Sequence, residues 1–389
     1  MTTAAFSYAM HYFNCNEIRY FSYVITMEYL HMEMECPMGS LKILAGIASF
    51  VLASILIIHQ AHYVQIEQGN EDTLVVSSVE GNCSSQIKWV DFTVSYEALC
   101  RAYEWDQKTH GTEHHVDWIE VLAYTAAKTG GKFDKKSLEV IENTANVLSS
   151  GEKSIEEITQ DIKYYPYYKE AYTAILGGMV GEYLAEVVDE KGVKCYQSRY
   201  GLKAYFPLAK GFGYSHYDDF GAGRSYGYER KHLGHDMMGQ IGTPIIAIES
   251  GVVEALGWNQ YGGWRVGIRS FDGRRYYYYA HLRQNYPYAE ALEEGSIVTA
   301  GDVIGYMGHT GYSMQENVNN IEVTHLHWGL ELIFDEERRA KGNEIWIDVY
   351  ALTQFLARHT QKVEKVEGTK EWVRSTGIVD PEVEKNSRN

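Results

Sequence analysis

The sequence predicts a multidomain chain: an N-terminal transmembrane helix, a small all-α domain and a C-terminal all-β domain built on an antiparallel sheet. Three observations carry this. An uncharged apolar run fills Ile43 to Ile58, apolar residues recur at i, i+3, i+4 and i+7 between residues 117 and 151, and glycine-broken period-two segments follow Tyr200. At 389 residues the chain has room for two or three domains of about 150 residues.

Composition narrows the functional classes. Lys+Arg 35 against Asp+Glu 52 gives a formal net charge of −17, and no basic block interrupts it. Such a field repels phosphate, so nucleic acid is excluded as a partner. Intrinsic disorder is excluded as well, because 32 Tyr, 12 Phe and 8 Trp supply ample surface to bury. The five cysteines (Cys15, Cys36, Cys83, Cys100 and Cys195) form no C-x-x-C pair, and their odd number argues against a disulfide framework. Any metal must therefore be held by histidine and carboxylate.

The run ILAGIASFVLASILII, extended by Leu41 and Ala61, approaches the ~20 residues that cross a bilayer and shows no polar stripe. A transmembrane helix over 41 to 62 is expected. Arg19 and Lys42 precede it and no Lys or Arg occurs from Ile43 to Ile87, which puts the N-terminus inside and the remainder outside the membrane. His59-Gln-Ala-His62 is a poor cleavage site, so an uncleaved anchor is favoured over a removed signal peptide. Residues 1 to 40 are either a cytoplasmic segment or a mis-assigned start, Met38 offering a short Lys-bearing head directly before the run. Polar, acidic residues 63 to 88 read as a linker.

Helices are expected over 89 to 188. Asp117 and Glu120 have capping-box spacing ahead of Ile119, Leu122, Ala123 and Ala126, with Gly130-Gly131 closing the helix. Leu138, Ile141, Ala145 and Leu148 form a second stripe ending at Gly151, and Ser154 with Glu157 opens a third helix. Lys163-Tyr-Tyr-Pro-Tyr-Tyr-Lys169 reads as a proline-started helix with packed aromatics rather than a sugar platform. Glu113-His-His115 reads as a solvated loop, and no function is assigned to this region.

The β domain is expected over 200 to 356. Its strands include Thr243-Pro-Ile-Ile-Ala-Ile248, Gly251–Leu256, Trp264–Arg269 and Arg275–His281. An apolar segment from Ile345 to Leu356 reads as a short helix, and the charged tail 357 to 389 as mobile.

Chemistry concentrates in three short motifs. In His325-Leu-His327 the i, i+2 spacing puts both imidazoles on one strand face, so one can ligate a metal while the other reaches a water held there. His232 and Asp236 sit four apart around Gly234, which lets a turning backbone present both to one point. Two histidines and a carboxylate leave one tetrahedral position open, the arrangement of a catalytic zinc. His235 is a rival ligand, although adjacent side chains on extended backbone point apart. In Tyr279-Ala-His281-Leu282, Tyr277, Tyr279 and His281 share a strand face, which predicts a tyrosine wall beside the imidazole.

The order of these motifs resembles the lysostaphin and LytM-type zinc endopeptidases that cut peptidoglycan peptides. The resemblance runs from about residue 226 to 332. It includes His232-x-Gly-x-Asp236, Gly242-Thr-Pro-Ile-Ile-Ala247, Gly251-Val-Val253, Tyr279-Ala-His281-Leu282, Gly301-Asp-Val-Ile-Gly305, Gly308-His-Thr-Gly311 and His325-Leu-His327. It implies a metallopeptidase domain with a duplicated-hybrid-motif type of antiparallel sheet and one Zn2+. It implies that His232, Asp236 and His327 bind that zinc and that His325 and His281 act beside it, His325 as base. Two departures stand out: a long stretch from Ser313 to Thr324, readable as a lid, and His235 where the family tends to be aliphatic. His309 is read as structural or substrate-facing, outside the site. The expected function is a membrane-anchored, outward-facing endopeptidase on cell-wall peptide. The alternative is a non-catalytic scaffold or activator that meets an envelope protein partner through the helical domain.

Overall fold

The computed structural model describes residues 87–226 and 228–387. The expected membrane span, the segment before it and most of the 63 to 88 linker lie outside them. Among the described residues no helix is long and apolar enough to cross a membrane.

Helices open the described chain: α1 (Tyr96–Thr109), α2 (Trp118–Thr129), α3 (Lys135–Ser149), the single-turn α4 (Ile155–Thr159) and α5 (Tyr165–Leu176). Local sequence starts and stops them. The Asp117 carboxylate accepts from the backbone N–H of Ile119 and Glu120, and Gly130 ends α2 in the left-handed region at φ 65°. Only half of the expected capping box forms there, because the Glu120 carboxylate pairs with Lys169 instead. Ser154 and Glu157 make the complete reciprocal box on α4. Such a cap is worth about 1 kcal/mol. Ile141, Ala145 and Leu148 are buried along α3 as their spacing requires. Pro166 lies in the first turn of α5, with Tyr165 and Tyr172 buried, so the tyrosine-rich segment is a packed helix.

Strands follow: β1 (Val180–Val188), β2 (Lys194–Leu202), β3 (Ser215–His216), β4 (Gly223–Tyr226), β5 (Tyr228–Lys231), β6 (His235–Met238), β7 (Pro244–Ile246), β8 (Gly251–Asn259), β9 (Gly263–Ser270), β10 (Arg275–Ala280), β11 (Ile297–Val298), β12 (Val303–Tyr306) and β13 (His325–Leu332). After them come α6 (Glu336–Ala340), β14 (Ile345–Ile347), α7 (Tyr350–Leu356), β15 (Val363–Lys365), β16 (Trp372–Arg374), β17 (Ile378–Val379) and α8 (Pro381–Asn386). The main antiparallel sheet runs β11-β8-β9-β10-β13-β6-β3, with β14 added beside β13. Its centre carries the chemistry-bearing residues: β13 lies between β10 and β6, with His327 opposite Ala280 on one side and Asp236 on the other.

Three expectations about boundaries change. The helical stretch ends at Leu176, because Val180–Val188 pairs with Lys194–Leu202 as a hairpin. Ile345–Ile347 is strand rather than helix, its amides paired with Leu330–Leu332 of β13. The tail is ordered through Asn386: Ile378 and Val379 pair with β1, and buried Asp380 accepts from Lys203 and Ser250, each at 2.8 Å. A charged residue reads as solvated only when it lacks buried partners, and Asp380 has two.

Helices and main sheet share one apolar core. Leu99, Leu122, Ile141 and Tyr172 join Tyr277, Trp328, Leu330 and Phe355 in a single buried cluster. Arg275, 1% exposed, ties the two parts together. Its guanidinium is paired with Glu249, at 2.7 Å through Nε and 3.1 Å through Nη2, and donates at 2.9 Å to the Ala174 carbonyl in the last turn of α5. A buried cation there satisfies an orphan helix carbonyl and favours the helix dipole.

Candidate metal centre

The site forms where β13 crosses between β10 and β6. Alternation along β13 sends Leu326 and Trp328, both fully buried, to the core and His325 and His327 to the other face. Asp236 stands directly across from His327 in the β6 register, so a cross-strand pair places carboxylate and imidazole together. His232 arrives from the segment just before β6, its backbone fixed by N–H donation to the Ala222 carbonyl at 2.8 Å.

Three donor atoms converge. His232 Nε2, Asp236 Oδ1 and His327 Nδ1 are each 3.0 Å from the other two. Tetrahedral zinc with nitrogen and oxygen ligands at 2.0–2.2 Å needs donors about 3.3 Å apart, so this triangle fits the ion within a few tenths of an ångström. Among the described residues this is the one group of three metal-ligating side chains with such convergence. Burial alone would raise the Asp236 carboxyl, but hydrogen bonds to His232 and His327 outweigh it and hold the group well below the carboxylate range. Burial lowers His327, favouring the neutral ring that ligation requires.

The other two expected histidines stand beside the triangle. His325 Nε2 is 3.6 Å from Asp236 Oδ1, and its Nδ1 is 2.7 Å from the Val323 carbonyl. That contact assigns the proton to Nδ1 and leaves the Nε2 lone pair facing the centre. His281 Nδ1 likewise donates to the Thr310 carbonyl at 2.9 Å, and its ring centroid lies 4.7 Å from that of His325 and 5.8 Å from that of His327. Burial, reinforced by those two neighbours, holds His281 well below the ordinary imidazole range.

The route by which His281 arrives differs from the alternation argument. Tyr277 and Tyr279 point into the core, where Tyr277 donates to Glu249 and Tyr279 accepts from Ile248 N–H. The strand ends at Ala280, and His281 takes φ 63°, a left-handed conformation that turns its ring out of the tyrosines' face and onto the site. The tyrosine beside the centre is Tyr278, whose ring lies 5.9 Å from that of His327.

His235 is not a rival ligand. It faces away from Asp236, 2.8 Å from His216 Nδ1 and against Tyr350, and its pKa is pushed down to about 3 by burial and by His216. His309 is structural, its Nδ1 2.8 Å from the Ile321 carbonyl. The long segment before β13 is pinned at one flank of the site: Asn317 accepts from Trp264 Nε1 and Asn285 N–H, each at 2.9 Å.

Two functional neighbours were not legible in the motif. His232 Nδ1 lies 3.3 Å from the Asp219 backbone carbonyl, the hydrogen bond that fixes a ligating histidine's tautomer, and 3.1 Å from Asp219 Oδ1. Arg224 Nη2 lies 3.1 Å from Asp236 Oδ2 and also bonds Asp219. Both precede His232 on loop and hairpin, with no spacing that announces contact.

Comparison with known proteins agrees with this geometry. The model of Peptidase family M23 matches residues 230–341. The L-Ala–D-Glu endopeptidase of Bacillus subtilis (strain 168) is 38% identical over 125 residues, 32% of this chain and 37% of that protein. Lysostaphin of Staphylococcus staphylolyticus is 38% identical over 105 residues, 27% of this chain and 20% of that protein. The matches thus span well under half the length of both relatives. The solved structure of a LytM protein from Ruminococcus gnavus aligns over 73% of this chain and 95% of that one at 22% identity, with a TM-score of 0.47. The matched motifs and the histidine–aspartate–histidine triangle lie in the same residues, 230–341, and over that segment the chain is similar to peptidase family M23.

Proposed function

We propose that this domain is a zinc-dependent endopeptidase that cuts peptide bonds of cell-wall peptidoglycan. The observation that carries the reading is the triangle of His232 Nε2, Asp236 Oδ1 and His327 Nδ1, with His325 and His281 at its edge. The donor set of two neutral imidazoles and one carboxylate suits zinc, which when bound supplies Lewis acidity toward a carbonyl and lowers the pKa of water.

This chain's own groups do the remaining work. His325, with Nδ1–H engaged by Val323, presents a basic Nε2 that takes the proton from the attacking water. His281, its Nδ1–H held by the Thr310 carbonyl, donates to the developing oxyanion from Nε2 after taking up a proton from solvent at that atom, and gives the proton back when the charge collapses. The proton on His325 then passes to the leaving amine. Presence of all five polar side chains in one place favours catalysis over a scaffold role, since either histidine beside the triangle would be dispensable for mere contact.

The substrate class rests on the relatives named L-Ala–D-Glu endopeptidase and lysostaphin. A chain of net charge −17 is not drawn to an anionic wall, so a membrane anchor over residues 41 to 62 would hold the outward domain at its substrate. The test is mass spectrometry of peptidoglycan fragments after incubation with the full-length chain, with and without a zinc chelator and beside His327→Ala. New peptide ends that need both zinc and wild-type protein support the reading. Intact wall despite bound zinc overturns it.

A further inference from the structure

Upstream of residue 230, where the family match begins, the ribbon β4–β5 brings a cation against the metal triangle. The Asp236 carboxylate is divided between two tasks. Its Oδ1 faces His232 and His327 at 3.0 Å, while its Oδ2 lies 3.1 Å from Arg224 Nη2. The same guanidinium nitrogen bonds Asp219 Oδ2, and the other oxygen of Asp219 lies 3.1 Å from His232 Nδ1. One arginine therefore joins, directly or through one carboxylate, two of the three metal-ligating residues.

We propose that Arg224 is a positioning residue of the metal centre: by holding Asp236 Oδ2 and Asp219 it makes Asp236 present a single oxygen to the metal and locks the His232 tautomer. The physical need is clear. The terminal torsion of an aspartate is broad and two-fold, so an untethered carboxylate rotates between one-oxygen and two-oxygen presentation. A bound guanidinium removes that freedom, and Asp219, its carboxylate fixed by the same group, holds its backbone carbonyl 3.3 Å from His232 Nδ1, which keeps the proton there and the lone pair on Nε2.

The ribbon's own register supports an assigned place for this side chain. Arg224 lies directly opposite Arg230, so two cations share one face of a two-stranded ribbon outside the main sheet. Like charges opposite one another destabilise a ribbon that is marginal by itself. Each cation is offset separately, Arg230 by the rings of Tyr261 and Tyr312 at 4.9 and 5.0 Å, and Arg224 by Asp219 and Asp236. Removing the Arg224 charge relieves repulsion in the ribbon but frees the ligand carboxylate, so the centre and not the fold takes the loss.

This role rests on the metal-site reading above, and the test separates the two. Zinc affinity of the full-length chain is measured by competition with a chromophoric chelator for wild type, Arg224→Met and Arg224→Lys, and the visible spectrum of each is recorded with Co2+ as the probe ion. Arg224→Met is expected to bind zinc about 10- to 100-fold more weakly and to shift the cobalt bands. Arg224→Lys, which keeps one charged contact, is expected to recover part of both. Unchanged affinity and spectrum in Arg224→Met, with wild type binding zinc, overturn the positioning role and leave the site reading intact. Wild type that takes up no zinc overturns both. Where circular dichroism shows Arg224→Met unfolded, Arg224→Lys decides: weakened affinity with a shifted spectrum supports the role, and wild-type values overturn it.

Discussion

Gly234 lies against the ring of His327: a Cβ built on Gly234 would stand 2.5 Å from His327 Nε2 and Cε1 and 2.9 Å from the Trp328 carbonyl. The glycine between His232 and Asp236 is therefore required by close approach, not by a turn, and it is absent from the residues with positive φ. Gly234→Ala is expected to push the His327 ring off the triangle and weaken zinc binding at least tenfold. Zinc content after dialysis, beside far-ultraviolet circular dichroism to show retained fold, checks this.

The two classes of histidine should separate by readout. His232→Ala and His327→Ala are expected to lose zinc and peptidoglycan cleavage together. His325→Ala is expected to keep stoichiometric zinc while cleavage falls about 100- to 10,000-fold, the range for removing a general base. Metal analysis by mass spectrometry and quantitation of released peptides on the same preparations distinguish them. A zinc-free His325→Ala protein would show that this residue is a ligand.

Arg275 and Glu249 form a buried pair that also clasps α5, so removing one partner strands the other charge. Arg275→Met is expected to cost about 3–5 kcal/mol in urea unfolding. Adding Glu249→Gln should return part of that loss, because the stranded carboxylate is then gone.

His359 gives a pH dependence with a definite sign. Burial holds its pKa below the ordinary value, and its Nδ1 donates to the Ala204 carbonyl at 3.0 Å while its ring stacks on Tyr205. The unfolded chain then binds the proton more readily than the folded one, so this contribution is full above the unfolded pKa of about 6.5 and is lost as pH falls below it. Urea midpoints compared between neutral and mildly acidic buffer should drop less in His359→Gln than in wild type. Equal slopes would remove His359 from the acid response.

The anchor proposed for residues 41 to 62 has a direct check. Deleting them is expected to move the protein from the membrane pellet to the supernatant on cell fractionation. A full-length chain found in the supernatant would end the proposal.

Much of the site was legible because metal chemistry demands specific residue types at short spacing. His325 and His327 had to share a face by strand alternation, and His232-x-Gly-x-Asp236 named its own donors. Helix starts at Asp117 and Ser154 were legible for a similar reason: a cap is a local contact between residues three apart. Alternation failed at His281, because one left-handed residue at a strand end reverses the facing that period two assigns. Charge content misled at the tail, where Asp380 has a lysine partner 177 residues away.

The sequence by itself determined the identity of the five polar side chains, the antiparallel character of the domain that holds them and the helical character of the segment before it. Each of those follows from local spacing and side-chain chemistry. Only the tertiary structure decided that Asp236 stands across from His327, that Arg224 and Asp219 brace the triangle, and that helices and sheet share one core. Those are long-range pairings, set by strand register and by the burial of charge against charge, and no local period in a chain encodes which distant partner will satisfy a buried group.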